Sequence, residues 1–457
     1  MKQLIDKLFN TKVSTSYMFI LFGVSALMLA GYFSYAWFTV QGVQQYSVVT
    51  GTLNGTVAIG TNSVAINGQG VITYTPSTDN DTITLTVTNT NDRTVKNSIY
   101  YYNLSDSNIT IGYTSDSSTV PSTQGVSVAQ GKTLTYKIKI RGANGKQIKI
   151  GSSMGLNNSN LTLPSGTTAF SLLKDPTGAE VLVAKANPED LDYYTASTEQ
   201  KNEMWTFSHD ATEQLGATND YRYIGPNPDN YVKFNDGLWR IIGVFDTDDG
   251  TGKIEKRMKI IKNGYIYNTP WNSNNVNEWS TSSLKITLNT GEFYTSLTDT
   301  AKEMIGDSKW YLGGSSSYDD VTTAMFYTKE RGTNVYSGRS INWTGKVGLI
   351  YPSDYGYATI GGSGDCMRVA LYNWNNNVYN YCYNNDWLLE PSFTYWTMSQ
   401  RSDRSDYVFL VGNIGIVGFN NASRGDIVAR PVVYLKSTIN ITSGTGSSTD
   451  PFILAQS

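Results

Sequence analysis

Histidine and cysteine are almost missing from this sequence. Its 457 residues include one histidine, His209, and two cysteines, Cys366 and Cys382. A Ser-His-Asp hydrolase site and a histidine-built zinc site both depend on imidazole groups, so the composition argues against either. We therefore expect His209 to be a loop residue rather than a general base.

Charged residues are also few. They make up 16% of the chain, and the formal net charge is −3. A nucleic-acid-binding protein carries a basic face, and this composition supplies none, so we expect no nucleic-acid partner. Asparagine, threonine, serine, glycine and tyrosine are abundant instead. Such residues suit β-sheet surfaces and polar loops, and they are typical of secreted bacterial surface proteins.

One long uncharged segment stands near the start of the chain. Residues 17–40 carry no charge and follow a basic segment, residues 1–16. As a helix these roughly 24 residues would extend about 36 Å, enough to cross a hydrocarbon core of about 30 Å. They predict a single transmembrane anchor, with residues 1–16 in the cytoplasm and the later chain outside the cell membrane. A cleaved secretory signal is the alternative, because Ser34 and Ala36 match signal-peptidase positions.

The two cysteines both fall in the predicted extracellular part. Because the exterior is oxidising, we predict a disulfide between Cys366 and Cys382. A redox or copper site built from the same two cysteines is the alternative.

The first exterior segment, residues 41–156, alternates between apolar and polar residues. Ile83, Leu85 and Val87 alternate with threonines, and turn residues separate this run from similar ones. A period of two is typical of half-buried strands, so the segment predicts an immunoglobulin-like β-sandwich that acts as a stalk. Residues 157–204 follow as a predicted connector with a hairpin around residues 176–178.

A second domain is predicted over residues 205–442, with a tail at residues 443–457. Short strands greatly outnumber helices in it, so we expect a chain of α+β class that is mainly β. Helices are predicted over residues 281–288 and 298–305. Strands are predicted over residues 239–245, 258–262, 347–351, 395–398, 407–411, 414–419 and 432–436.

Six phrases of this second domain resemble an uncharacterised family of cell-surface proteins from gut-dwelling Gram-positive bacteria. They are residues 221–225 (YRYIG), 238–243 (LWRIIG), 310–314 (WYLGG), 348–356 (GLIYPSDYG), 395–399 (YWTMS) and 430–435 (RPVVYL). That family resembles the C-type-lectin-like fold of formylglycine-generating enzymes and of the variable proteins of diversity-generating retroelements. The resemblance covers residues 219–436 and implies a C-type-lectin-like recognition domain.

The same resemblance raises the alternative of a formylglycine-generating type of enzyme. The copper-binding cysteines of that enzyme lie on neighbouring positions, whereas Cys366 and Cys382 are far apart in the sequence. We therefore expect no enzymatic activity. A structural component of the cell envelope is the other alternative.

Two acidic segments raise the question of calcium. Glu390-Pro391-Ser392 resembles the Glu-Pro-Asn sugar motif of calcium-dependent lectins. The second motif of those lectins, Trp-Asn-Asp, reads here as Asn385-Asp386-Trp387, in a different order. The acidic residues of segment 246–249 could also attract a hard cation. Because Gly250 and Gly252 follow that segment, a hairpin turn explains it better. No metal or other cofactor is expected, and calcium remains the alternative.

The composition of residues 372–396 is that of a binding surface. Tyrosine and tryptophan alternate there with asparagine, which combines rigid contact area with adaptable hydrogen bonding. Such a surface suits an extracellular protein or a glycan. A structural loop held by the disulfide is the alternative.

Residues 401–435 contain no lysine, glutamate, glutamine, tryptophan or methionine. Adenine-directed mutagenesis by a retroelement would leave such a restricted alphabet, although residues 97–123 share the restriction. We predict that residues 372–396 and residues 401–435 converge on one ligand-binding face. Its residues are Trp374, Tyr379, Tyr381, Arg401, Arg404, Phe419, Asn420 and Arg424. The sequence as a whole predicts a membrane-anchored surface protein for adhesion or recognition.

Overall fold

The computed structural model describes residues 53–360 and 365–456, together with Val24. The predicted basic segment and anchor, residues 1–16 and 17–40, lie outside this range except at Val24. Within the described residues, no helix has both the length and the apolar character needed to cross a bilayer. Strands account for 36% of the described residues and helices for 14%, which confirms a mainly β chain of α+β class.

The chain divides into two compact units, residues 1–174 and 175–457. The boundary lies inside residues 157–204, which were expected to form a connector of their own. Residues 157–174 complete the first unit, and residues 175–204 open the second. Each half of the expected connector has its own apolar anchor, Phe170 in the first unit and Leu182 in the second.

The described part of the first unit, from residue 53 onward, contains ten antiparallel strands. They are β1 (Asn54–Ile59), β2 (Asn62–Asn67), β3 (Gln69–Tyr74), β4 (Asn80–Asn89), β5 (Val95–Tyr102), β6 (Thr110–Tyr113), β7 (Val126–Val128), β8 (Thr133–Arg141), β9 (Ile148–Leu156) and β10 (Thr167–Ala169). Nine follow the order β10-β5-β9-β3-β2-β1-β4-β8-β6, and β7 pairs with β5.

The predicted alternation along β4 is confirmed. Ile83, Leu85 and Val87 are buried, and the threonines between them are exposed or half-buried. Apolar residues of all ten strands or their flanks share one core, so the sheet must fold over on itself. The sheet bends between β2 and β3, where the two strands pair through a single residue pair, Asn67 and Gln69.

The segment after β10 closes the sheet. β10 pairs with β5 at one edge, and the next residues bond to β6 at the other edge. The Tyr113 amide donates to the Ser171 carbonyl at 2.9 Å, and the Leu173 amide donates to the Tyr113 carbonyl at 2.9 Å. Phe170 directly precedes Ser171, between β10 and the residues that bond to β6, and it is buried in the core. Residues 157–174 therefore seal a barrel.

This closure predicts that the first unit needs its last segment. A fragment of residues 53–174 should unfold cooperatively in urea, whereas a fragment of residues 53–156 should be less stable by about 3 kcal/mol or more. The reason is that the shorter fragment loses a buried phenylalanine and exposes the edges of β5 and β6. Circular dichroism during urea titration measures the difference. Equal stabilities would contradict the closure described here.

The second unit contains fourteen further strands. They are β11 (Trp205–His209), β12 (Thr218–Arg222), β13 (Tyr231–Phe234), β14 (Gly237–Asp248), β15 (Ile254–Lys262), β16 (Ser308–Tyr311), β17 (Asn342–Gly345), β18 (Val347–Gly348), β19 (Tyr395–Gln400), β20 (Tyr407–Val411), β21 (Val417–Asn421), β22 (Val432–Tyr434), β23 (Ile439–Ser443) and β24 (Ile453–Gln456). Most predicted strands are present, although the one at residues 347–351 is reduced to two residues.

Short helices lie between these strands. They are α1 (Gly178–Val183), α2 (Thr198–Asn202), α3 (Ser283–Asn289), α4 (Glu292–Ser296), α5 (Asp299–Met304), α6 (Thr323–Glu330), α7 (Pro352–Gly356), α8 (Asp365–Arg368) and α9 (Asn380–Asn384), with 3₁₀ turns at Trp279–Thr281 and Leu371–Asn373. The two predicted helices correspond to α3 and α5.

The hairpin predicted around residues 176–178 is wrong, because helix α1 begins there. The Thr177 hydroxyl accepts from the Glu180 amide at 3.2 Å, and the Glu180 carboxylate accepts from the Thr177 amide at 2.8 Å. This reciprocal capping box fixes the start of a helix. Its sequence signature, threonine followed by glutamate three residues later, was present in the chain.

A seven-stranded sheet and a three-stranded sheet organise the second unit. The larger has the order β11-β12-β14-β15-β22-β18, with β13 paired to β14, and the smaller has the order β19-β20-β21. The expected tail belongs to the unit, since β24 pairs with β23 and the Phe452 amide donates to the Tyr231 carbonyl at 2.9 Å. One large aromatic core links both sheets.

Candidate functional site

A groove of about 740 Å³ crosses one face of the three-stranded sheet β19-β20-β21. Its lining comes from segments far apart in the sequence, namely residues 265–268, 318, 372, 392–394, 410–420 and 424–428. Several large side chains with considerable exposure stand at its rim. Tyr265 is 46% exposed, Tyr372 is 37% exposed and Ile414 is 52% exposed. Exposed apolar groups gathered around a concave surface are typical of a binding site.

The floor of the groove is apolar and flat. Leu410 of β20 pairs with Gly418 of β21, and Ile416 stands beside them. A methyl group placed on Gly418 would meet Leu410 Cδ1 at 3.7 Å and Ile416 Cδ1 at 3.9 Å, which are ordinary contact distances. Glycine at this position thus keeps the floor open, and a larger side chain would occupy the groove.

Aromatic rings flank the floor on two sides. On one side Tyr318 meets Tyr372 edge-on at 4.9 Å between ring centroids and meets Phe419 at 4.8 Å. On the other side Tyr265 meets Phe393 edge-on at 4.7 Å. Each exposed ring is therefore held by a second ring, which reduces the side-chain entropy lost when a ligand stacks on it.

Arg401 packs against the Tyr318 and Phe419 rings, which form one wall of the groove. Its guanidinium lies 4.6 Å from the centre of the Phe419 ring and 5.3 Å from that of Tyr318. Two hydrogen bonds of 2.9 and 2.8 Å to Asp403 fix the guanidinium, and a third of 2.5 Å reaches the Ser316 carbonyl. Arg401 is only 7% exposed, so it supports the wall instead of facing a ligand.

The polar groups of the groove are almost all uncharged. Asn268 and Asn413 are exposed, and Asn420 is half-buried. The charged side chains of the lining, Arg424 and Asp426, bind each other through hydrogen bonds of 2.5 and 2.8 Å. The surface offered to a ligand therefore has little net charge.

The structure brings together only part of the predicted ligand-binding face. Phe419, Asn420 and Arg424 line the groove, and Arg401 supports it. Arg404 is exposed nearby, and its guanidinium lies 4.6 Å from the centre of the Tyr407 ring. This part of the face coincides with the segment of restricted alphabet.

The predicted contribution of the asparagine-rich segment needs correction. Trp374 is fully buried in the main core, with its ring 5.4 Å from that of Tyr355, so its side chain cannot contact a ligand. Tyr379 and Tyr381 are half-buried against the same core and do not line the groove. Tryptophan and tyrosine at alternate positions had suggested a binding loop, but the rings anchor the segment.

The predicted disulfide between Cys366 and Cys382 is confirmed, with 5.6 Å between the Cα atoms. It joins helix α8 to helix α9, and both cysteines are buried in the core. The neighbouring Thr359 hydroxyl donates to the Cys382 carbonyl at 2.5 Å. The disulfide thus fastens the asparagine-rich segment, and both thiols are consumed in it.

Tyr265, Tyr318 and Phe393 line the groove and were missed from the sequence. They lie on three separate loops, and only the tertiary fold brings them beside β20 and β21. Single aromatic residues in loops carry no local signal of this kind. The carboxylates of Asp246 and Asp248 serve other purposes, since Asp248 accepts from the Gly250 and Gly252 amides at 2.8 and 2.9 Å in the expected hairpin turn.

A second constellation lies in the interior, where five strands and helices contribute charged groups. Asp354 is its centre: its carboxylate accepts from Arg222 at 2.9 Å, from the Tyr351 amide at 2.9 Å and from Lys259. Burial opposes ionisation of Asp354, but Lys259 and Arg222 outweigh that effect and hold its pKa below the ordinary value. Arg222 also donates to Asp220 at 2.8 Å.

His209 belongs to this interior group, so its predicted place in a loop is wrong. It ends strand β11, stacks on Tyr327 at 3.7 Å and lies 3.2 Å from Asp220. Burial lowers the pKa of His209 despite the nearby carboxylate, which keeps the imidazole neutral. The adjacent cavity holds only about 10 Å³. The described contacts of these groups hold strands β11, β12 and β15 and helices α6 and α7 to one another.

Glu330 is another buried acid of this interior group. Its carboxylate accepts from the Ser353 amide at 2.9 Å, from the Ser353 hydroxyl at 2.5 Å and from Arg331 at 3.2 Å. Burial raises the pKa of Glu330 to about 7, although Arg331 and Ser353 oppose that rise. The folded protein therefore takes up a proton at Glu330 at mildly acidic pH.

This raised pKa predicts a loss of stability between pH 4.5 and 7. Glu330 binds a proton more tightly when folded than when unfolded, so its contribution is complete below pH 4.5 and disappears as pH rises through 7. The loss should be about 3 kcal/mol at most. The variant Glu330→Gln should show a smaller decline than the unaltered protein, because buried Asp386, whose pKa is also raised, contributes equally in each variant. Glu303→Gln, at an exposed position, should keep the full decline. Urea unfolding across this pH range measures it, and parallel curves for all three proteins would contradict the assignment.

Comparisons with known proteins supply no family for this chain. No protein-family model, curated protein or solved structure matches it. Within the described residues, no group of three or more histidine, cysteine, aspartate or glutamate side chains is placed to hold a metal ion. The groove on β19-β20-β21 is therefore the candidate site on geometric grounds alone.

Proposed function

We propose that this chain is a membrane-anchored bacterial surface protein whose second unit binds an extracellular protein or glycan in the groove. One observation carries the proposal. Exposed aromatic rings, held in place by other rings, surround an apolar floor that Gly418 keeps open. Exposed aromatic rings around a concave surface are typical of a ligand-binding site.

The architecture assigned to this function is that of a recognition domain on a stalk. The first unit, whose strands enclose one core, is the proposed immunoglobulin-like stalk, and the second unit is the proposed C-type-lectin-like domain. The six phrases that resemble the surface-protein family support the second assignment. The disulfide between Cys366 and Cys382 leaves neither thiol for the chemistry of a formylglycine-generating type of enzyme.

The restricted alphabet of residues 401–435 supports a recognition role from a different direction. Phe419, Asn420 and Arg424 of this segment line the groove. Retroelement-driven diversification at these three positions would alter the groove directly. We propose this protein as a target of such diversification.

The binding proposal predicts that filling the groove abolishes binding. Gly418→Leu would place a side chain on the floor beside Leu410 and Ile416 without backbone strain. The matched control is Gly216→Leu, at an exposed glycine with open space around it. The full-length protein and both variants would be applied to immobilised neutral and acidic oligosaccharides and to a phage-displayed peptide library.

We expect at least one ligand that binds the unaltered protein and Gly216→Leu but binds Gly418→Leu at least tenfold more weakly. Thermal unfolding of the three proteins should coincide within a few degrees, since the added side chain makes only ordinary contacts. A complete absence of ligands sensitive to Gly418→Leu, in either class, would refute the proposed function.

The proposed location predicts a specific result on intact cells. External protease should remove an epitope attached after residue 457 and leave a small anchored fragment that contains residues 17–40. The reason is that the uncharged segment is long enough to remain in the bilayer. Immunoblotting of shaved cells measures both products. Recovery from the medium of a mature form that begins at Trp37 would establish the cleaved-signal alternative instead.

A further inference from the structure

We infer that the groove binds a neutral saccharide chain, held by stacking on Tyr265 and Tyr372 and by side-chain amides, without a bridging metal ion. This inference rests on the proposed function and names the class of its ligand. Three features of the groove support this inference: its charge, the placement of its hydrogen-bonding groups and the orientation of its aromatic rings.

The charges of the lining cancel within the protein. Arg424 donates two hydrogen bonds to Asp426, with both carboxylate oxygens engaged, so neither side chain offers an unmatched charge. Arg401 also lacks an unmatched charge, because Asp403 pairs with it and Phe419 covers it. An acidic ligand would gain little from these cations, because a carboxylate already balances the charge of each one. A neutral ligand needs no cation.

The hydrogen-bonding groups of the lining are side-chain amides together with the hydroxyls of Ser392, Thr394 and the tyrosines. The floor is the face of a sheet, and the amides and carbonyls of a sheet point along its plane toward neighbouring strands. A peptide on this face would find few backbone partners for its own amides and carbonyls, and each unpaired group would be costly once buried. A saccharide needs none, because its hydroxyls can both donate to and accept from an amide.

Asn420 illustrates the fit. Its Oδ1 accepts from the Asn421 backbone amide at 2.9 Å, which orients the side chain. Within the described residues its NH₂ group makes no hydrogen bond and remains free to donate. Asn268 and Asn413 stand exposed elsewhere on the lining. Three side-chain amides on an uncharged surface match the hydroxyls of a sugar ring better than they match a charged group.

The exposed aromatic rings match the apolar face of a sugar. Tyr265 and Tyr372 are each held edge-on by a neighbour, with interplanar angles of 65° to Phe393 and 83° to Tyr318. An edge-on neighbour fixes a ring while occupying little of its face, so a face can receive the apolar side of a pyranose. Their positions on different walls favour an extended chain over a single sugar.

The lining contains one carboxylate, Asp426, and Arg424 already occupies it. A calcium-bridged mode of binding needs several oxygen ligands on the protein, commonly carboxylates. Binding in this groove should therefore survive removal of divalent cations. This separates the inferred mode from the calcium-dependent mode suggested by Glu390-Pro391-Ser392.

The test measures, by calorimetry, the binding of the full-length protein to soluble hexaoses of glucose, xylose, mannose and N-acetylglucosamine. Oligogalacturonates and heparin-derived hexasaccharides are the acidic counterparts. We expect at least one neutral hexaose to bind, with affinity unchanged by EDTA and reduced at least tenfold by Gly418→Leu. Tyr265→Ala and Tyr372→Ala should each weaken it about tenfold, whereas Tyr194→Ala, at a tyrosine 59% exposed outside the groove, should not.

Three results would overturn the inference. They are an absence of neutral hexaoses that bind, groove-dependent binding confined to acidic saccharides or peptides, and loss of neutral-hexaose binding in EDTA. A peptide or acidic ligand that Gly418→Leu excludes would leave the proposed function intact and refute only the ligand class. If no ligand of any class responds to Gly418→Leu, both proposals fail together.

Discussion

The second unit depends on one buried carboxylate. Asp354 accepts hydrogen bonds from Arg222 on β12, from Lys259 on β15 and from the amide that begins helix α7. Four aromatic rings surround the Lys259 ammonium, with centroids 4.6 to 5.8 Å away. Each charge would be very costly in such a place alone, so the elements that carry them cannot separate without exposing an unpaired ion. The large sheet and the helix are thereby held in one arrangement.

Such a network specifies geometry more than it adds stability. Replacing a buried ion group with packed apolar residues is often neutral or favourable, whereas removing one partner is strongly destabilising, by about 3 to 5 kcal/mol. Burial already lowers the pKa of Lys259 to about 8, which shows how finely its charge is balanced against desolvation. The interior thus fixes the position of β15 and of β22 beside it.

Periodic features of the sequence were predicted well, and features set by long-range packing were not. The alternation along β4 and the pairing of the two cysteines follow from local composition and compartment, and both are present. The burial of Trp374 could not be read locally, because exposed asparagines surround it in the sequence and only the fold places its ring beside Tyr355. The groove has the same origin. Phe419 was predicted from its segment, but its partner Tyr318 comes from a loop about one hundred residues earlier.

The closed barrel of the first unit has a consequence for neighbouring copies. Its long strands have partners on both sides, and hydroxyls of Ser117 and Thr119 accept from the β8 amides of Lys137 and Thr135 that β6 does not reach. Unpaired strand edges are the usual route by which crowded β proteins fuse into shared sheets. Many copies of this chain packed closely together would therefore remain separate molecules, because the first unit offers few free strand edges for pairing.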